Sequence, residues 1–193
     1  LLSKMINYGR QWLDDDDIEI IAKRGASVSH NPESNMKLSS GIAPVPAMLK
    51  AGVTVGLGTD GCASNNNLDL FSEMDTAAKL HKVNALDPTM MDAVTVLKMA
   101  TIEGARSLGL QDITGSLEIG KKADVIIIDT HKPHLVPVYN PVSHMVYAAQ
   151  GSDVRDVIVN GNVLLRNREL ATLDIEDILD KVADIASHIK CKN

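Results

Sequence analysis

Apolar runs and helix-patterned segments alternate along the first two thirds of the chain. Residues 14–23 open with four aspartates and continue with Ile18, Ile20, Ile21 and Ala22 on one face. That pattern predicts a helix whose carboxylates meet the positive end of its dipole, with Gly25 as the stop. Ala-Ser-Val-Ser-His at 26–30 reads as a short buried strand, and Asn-Pro-Glu-Ser-Asn-Met-Lys-Leu-Ser-Ser-Gly at 31–41 as a loop. A helix is expected over 42–51, with Pro44 and Pro46 tolerated in its first turn. Residues 53–60, Val-Thr-Val-Gly-Leu-Gly-Thr-Asp, form a second strand, apolar as parallel strands buried on both faces tend to be. A Gly- and Asn-rich loop follows, then helices over 68–84 and 89–108. Strands and helices in this order are the grammar of a (β/α) barrel or a doubly wound sheet.

The grammar changes at Gly115. Gly-Ser-Leu-Glu-Ile-Gly-Lys-Lys-Ala-Asp-Val-Ile-Ile-Ile-Asp holds an extended piece, a basic turn and a Val/Ile strand. His-Met-Val-Tyr-Ala-Ala, Asp-Val-Arg-Asp-Val-Ile-Val-Asn-Gly and Asn-Val-Leu-Leu-Arg-Asn read as further short strands, with Asn160-Gly161 as a hairpin turn. Ile175, Ile178, Leu179, Val182 and Ile185 then recur at helical spacing, predicting a closing helix over 174–190. The expected division is 1–114 for the alternating segment, 115–170 for a small β-unit and 171–193 for a terminal helix.

Composition narrows the classes of function. A net charge of −6 argues against non-specific nucleic-acid binding, which needs a basic footprint. One Phe and one Trp leave little for stacking on bases. No run approaches the roughly 18 apolar residues of a membrane span, and the first residues lack the apolar core of a signal peptide. Two cysteines, Cys62 and Cys191, make neither a disulfide framework nor a zinc knuckle. A cytoplasmic location is expected.

Two strands end in reactive residues, His30 and Asp60. In a β/α barrel both would face the mouth where catalytic groups gather. An aspartate there can ligate Zn²⁺ or Fe²⁺ and accept a proton from water; alone, Gly-Thr-Asp-Gly is more often only a turn. His30 reads more readily as a satisfied structural histidine than as a ligand, and Ser34 more readily as a cap. The three asparagines 65–67 suit loop backbone. His81 reads as a surface residue of a long helix. His131, His134 and His144 lie near the β-unit, and Pro133 breaks any helix between the first two. Gly-Leu-Gly-Thr-Asp-Gly is no dinucleotide fingerprint, because its Asp would repel a pyrophosphate.

Three blocks in order, Ser-His-Asn-Pro-Glu-Ser-Asn-Met-Lys-Leu-Ser-Ser-Gly, Gly-Leu-Gly-Thr-Asp-Gly-Cys-Ala-Ser-Asn-Asn-Asn and Gly-Ser-Leu-Glu-Ile-Gly-Lys-Lys-Ala-Asp-Val, resemble the amidohydrolase superfamily. The pattern is most similar to its 5-methylthioadenosine/S-adenosylhomocysteine deaminase group and the related chlorohydrolases. The resemblance implies an α/β chain, the C-terminal portion of a (β/α)8 TIM-like barrel plus part of a small β-sandwich. It also implies one divalent metal, usually zinc, held by His-x-His, a further His and an Asp. Asp60 matches that aspartate, as metal ligand and proton acceptor, while His30, Ser34 and Asn35 match a motif beside the substrate. The implied reaction is hydrolytic deamination of a purine nucleoside; a chlorohydrolase, a guanine deaminase or an inactive half-barrel are the alternatives. No His-x-His is present, and no His-x-x-Glu of the fifth-strand kind (His30 and Glu33 have that spacing but belong to the Ser-His-Asn-Pro block); Gly9 stands where the family has a sixth-strand histidine. The chain is therefore expected to be an incomplete enzyme, inactive alone and associating through open edges as a homo-oligomer.

Overall fold

The computed structural model describes the backbone of residues 5–7 and, in full, residues 13–189, with the backbone of Lys190; Gly9 and Cys191 lie outside the described residues. Two sheets organise it. In the first, β1 (Met5–Asn7), β2 (Ser27–His30) and β3 (Thr54–Leu57) run parallel in that order. Val28 pairs with Val55 and His30 with Leu57, so the two longer strands end side by side.

Helices connect these strands and cover them. α1 (Asp15–Lys23) begins at a capping box in which Asp14 accepts the Asp17 N–H at 2.9 Å, which is what the aspartate run supplies. α2 (Pro32–Lys37) occupies the stretch that reads as a loop in sequence. Asn31-Pro32 is the reason: proline at the first helical position has its φ preset and lacks only an N–H that would be unpaired. α3 (Val45–Lys50) leads back to β3, after which come the single turn α4 (Cys62–Asn65) and the long α5 (Leu70–Ala85). The helix expected over 89–108 is two, α6 (Ala93–Ala100) and α7 (Ile102–Ser107). They break at Thr101, whose hydroxyl donates to the Leu97 carbonyl at 2.7 Å.

Close backbone contact seats α7 on β3. A Cβ on Gly56 would stand 3.0 Å from the Gly104 Cα, so a glycine faces a glycine across the contact. The core beneath is aliphatic and Met-rich, as the scarcity of aromatics dictates: Val28, Val45, Met48, Val55, Ala77, Ala78, Val96, Met99 and Val146 are buried together. Each larger side chain among them is worth about 1.5–3 kcal/mol of burial.

The second sheet is antiparallel, β4 (Val125–Ile128), β5 (Val154–Val159), β6 (Asn162–Arg166) and β7 (Glu169–Leu170), with Asn160 and Gly161 both at positive φ in the hairpin turn between β5 and β6. His-Met-Val-Tyr-Ala-Ala is not a strand. It falls in α8 (Pro141–Tyr147), where Asn140 caps the Ser143 N–H at 3.1 Å and Pro141 stands in the first turn. That run is too short for periodicity to tell strand from helix, and its start signals decide. Its Val146 joins the core against Val96 and Met99. The closing helix α9 (Ile175–Lys190) leaves Ile175, Leu179, Val182, Ile185 and Ile189 largely exposed. Among the described residues no helix is long and apolar enough to cross a membrane.

Candidate active site

Side by side, the C-terminal ends of β2 and β3 fix where polar groups collect. The Gly58 N–H donates to the His30 carbonyl at 3.0 Å, carrying the pairing one step past the strands. A Cβ on Gly58 would meet the side-chain oxygens of Asn31 and Ser29, which would have to shift to admit it. Two residues on, the chain turns outward at Asp60, which is exposed and left-handed at φ 61°.

Asp60 is held by hydroxyls from both flanking segments. Ser34, buried on α2, donates to Asp60 Oδ2 at 2.8 Å, and Ser64 on α4 donates to the same oxygen at 2.9 Å. These two bonds, with the Gly61 backbone N–H, hold the Asp60 carboxyl below its ordinary value, so it is ionised at neutral pH. Ser34 therefore does not cap α2; its hydroxyl faces Asp60. Asn35 is buried beside it, its own N–H on the Asn31 carbonyl at 3.0 Å.

His30 does not join this cluster. Its Nε2 lies 3.1 Å from Nε2 of His81, both rings being buried. Burial, and secondarily His81, push His30 down to about 3, and burial pushes His81 down to about 4. Both are neutral at pH 7, with one N–H donating to the other ring. His81 is thus a core residue and not a surface one. It sits at i+7, i+4 and i+3 from Met74, Ala77 and Ala78, all buried, and that spacing is the signal that places it inward. Elsewhere, His134 is engaged by Asp153 at 2.9 Å.

Two further residues close the site from below. Glu73 on α5 is fully buried; its Oε2 accepts the Glu33 N–H at 3.1 Å and its Oε1 accepts from Asn65 Nδ2. Burial pushes its carboxyl up to about 7. Asn65 turns its own Oδ1 to the N–H groups of Asn67 and Leu68, at 3.2 and 3.0 Å.

Among the described residues at these strand ends, the exposed Asp60 carboxylate is an oxygen donor of a type that zinc accepts. Among the described residues no three His, Cys, Asp or Glu side chains gather to hold a metal. One carboxylate does not retain a catalytic zinc, which takes three protein ligands.

Residues 3–164 match the amidohydrolase family. A 5-methylthioadenosine/S-adenosylhomocysteine deaminase of Syntrophobacter fumaroxidans is 58% identical over 178 residues, 92% of this chain and 41% of that protein. A 5'-deoxyadenosine deaminase of Methanosarcina barkeri is 55% identical over the same shares, 92% and 41%. The chain thus spans about two fifths of the length of these curated relatives. Among solved structures, an adenosine deaminase from Xanthomonas campestris with bound zinc superposes with a TM-score of 0.93 at 42% identity, over 97% of this chain and 42% of that one. A zinc-complexed atrazine chlorohydrolase from Arthrobacter aurescens gives 0.86 at 28% identity, over 93% and 40%. By the extent of the family match and the identity to these relatives, the chain belongs to the amidohydrolase family.

Proposed function

We propose that this chain is the C-terminal portion of a divalent-metal-dependent deaminase of adenine nucleosides, with 5-methylthioadenosine, S-adenosylhomocysteine or 5'-deoxyadenosine as the substrate class. β2 and β3 are then the seventh and eighth strands of a (β/α)8 barrel, and the antiparallel sheet is part of the small sandwich. The observation that carries the reading is the Asp60 carboxylate, ionised at a strand end and oriented by Ser34 and Ser64. The names of relatives at 55–58% identity supply the reaction class, and the lower identity of the chlorohydrolase, 28%, weighs against chloride as leaving group.

The chemistry contributed by a bound zinc is Lewis acidity, which brings the pKa of water to about 7. Asp60 would supply one oxygen to hold the ion, and its carboxylate accepts the proton that water loses as its oxygen adds to purine C6. Ser34 and Ser64 keep the carboxylate in one orientation through that transfer. The C6–N bond then breaks, ammonia leaves with the proton, and a 6-oxopurine remains. His30, at the strand end and buried against His81, and Asn35, the residue after Ser34, back the segment that carries Ser34. The remaining ligands and the acid for the leaving nitrogen come from outside this chain's described residues.

Ammonia release and the adenine-to-hypoxanthine absorbance change, measured with each of the three nucleosides on the full-length protein of which this chain is the proposed C-terminal portion, test the reading. Turnover that a chelator removes and zinc restores is the expected result. No ammonia from any adenine nucleoside at full metal occupancy would sink it.

A further inference from the structure

Ser34 and Ser64 come from segments 30 residues apart, yet both reach one oxygen of Asp60. Something must fix the spacing between them. Glu33, the residue before Ser34, gives its backbone N–H to Glu73 Oε2, and Asn65, the residue after Ser64, gives its Nδ2 to Glu73 Oε1. One buried carboxylate on α5 therefore grips both segments, each one residue away from a hydroxyl that holds Asp60. We propose that Glu73 is a positioning residue for Asp60: it locks α2 and α4 at the separation where both serine hydroxyls meet Asp60 Oδ2. The consequence for turnover rests on the deaminase reading above; the positioning itself does not.

A carboxylate is the group this task calls for. It offers two acceptor oxygens to two donors arriving from different segments, whereas a glutamine offers one acceptor and an unwanted donor. Asn65 cannot turn its amide to compensate, because its Oδ1 already serves Asn67 and Leu68. The partners also account for the presence of an acid in a fully buried position, which costs stability unless its oxygens are hydrogen-bonded. Glu33 is held from the same helix, since Thr76 Oγ1 on α5 donates to its side chain at 3.1 Å. Every contact runs from α5 to the two segments around Asp60, and none reaches Asp60 directly.

Crystal structures of the full-length protein that contains this segment and of its Glu73→Gln variant, with zinc affinity by chelator competition, form the test. Loss of one acceptor should move at least one of the two serine hydroxyls out of hydrogen-bond range of Asp60, and zinc should bind about ten- to a hundred-fold more weakly. Met48→Ala, a truncation of a buried core side chain that makes none of these hydrogen bonds, should lower stability and leave both serine bonds in place. Should Glu73→Gln fail to fold, Asn65→Ala cuts one arm alone and should free Ser64. Both hydroxyls still on Asp60 in a folded Glu73→Gln or Asn65→Ala protein overturns the proposal. Displacement without loss of zinc affinity keeps the positioning and counts against Asp60 as a metal ligand.

Discussion

Asp60→Ala in the full chain is expected to lower deamination by at least about 10³-fold, the scale on which a general base contributes, and to reduce zinc content. Two roles are lost at once, a ligand oxygen and a proton acceptor. Asp60→Asn separates them. Its amide oxygen still receives the Ser34 and Ser64 hydroxyls but carries no charge and accepts no proton, so turnover should fall as far while part of the metal is retained. The ionised form is also protected against acid. Ser34, Ser64 and the Gly61 N–H hold the Asp60 pKa below 3.8, so its protonation does not limit activity at pH 5 to 8. Near-normal rates with full metal occupancy in either variant would remove Asp60 from the mechanism.

The second large effect is on stability against pH, and it comes from three buried groups with opposing signs. His30 and His81 have folded values of about 3 and 4 against 6.5 in the unfolded chain. Below pH 6.5 the unfolded chain takes up two protons that the native core refuses, so stability present above 6.5 is lost as pH falls. Glu73 works the other way. Its folded value of about 7 stands above 4.5, so its contribution is present below 4.5 and is lost as pH rises through 7. Between pH 4.5 and 6.5 two histidines oppose one glutamate. The net slope is roughly one proton, about 1.4 kcal/mol per pH unit, and maximum stability falls near pH 6.5. Urea midpoints from pH 8 to 4.5 read this directly. Glu73→Gln should steepen the acid limb to about two protons, and His81→Leu should flatten it. A midpoint that does not move with pH in the unmodified protein would refute the buried neutral pair.

How much of this was legible in the sequence depended on the distance over which each signal acts. His30 and Asp60 stood out because each closes an apolar run, and the parallel pairing of β2 and β3 brings those ends together. Ser34 was legible only in part. Its surroundings are rich in Asn, Ser and Gly and read as loop, while the short helix begun by Asn31-Pro32 is what turns it toward Asp60. His81 was hidden by its neighbours. Alanines at 77 and 78 carry little apolar signal, and Lys79 and Lys82 suggest a wet face, yet those alanines are the buried stripe to which His81 belongs. Glu73 was out of reach of pattern alone, since patterning sends charges to water. What allows it inside is an N–H forty residues away and an amide eight residues away, neither of which any local periodicity encodes.

The left-handed backbone of Asp60 has a consequence for how the protein changes over generations. At φ 61° a side chain is carried at some cost, of order 1 kcal/mol, that glycine escapes. Asp60→Gly would relieve that strain but strip the buried Ser34 hydroxyl of its acceptor, at a cost of about 1–3 kcal/mol, so the acid and the two serines hold one another in place. On the deaminase reading, a lineage released from the need for the reaction would lose the serines and the acid together before glycine could settle in this turn.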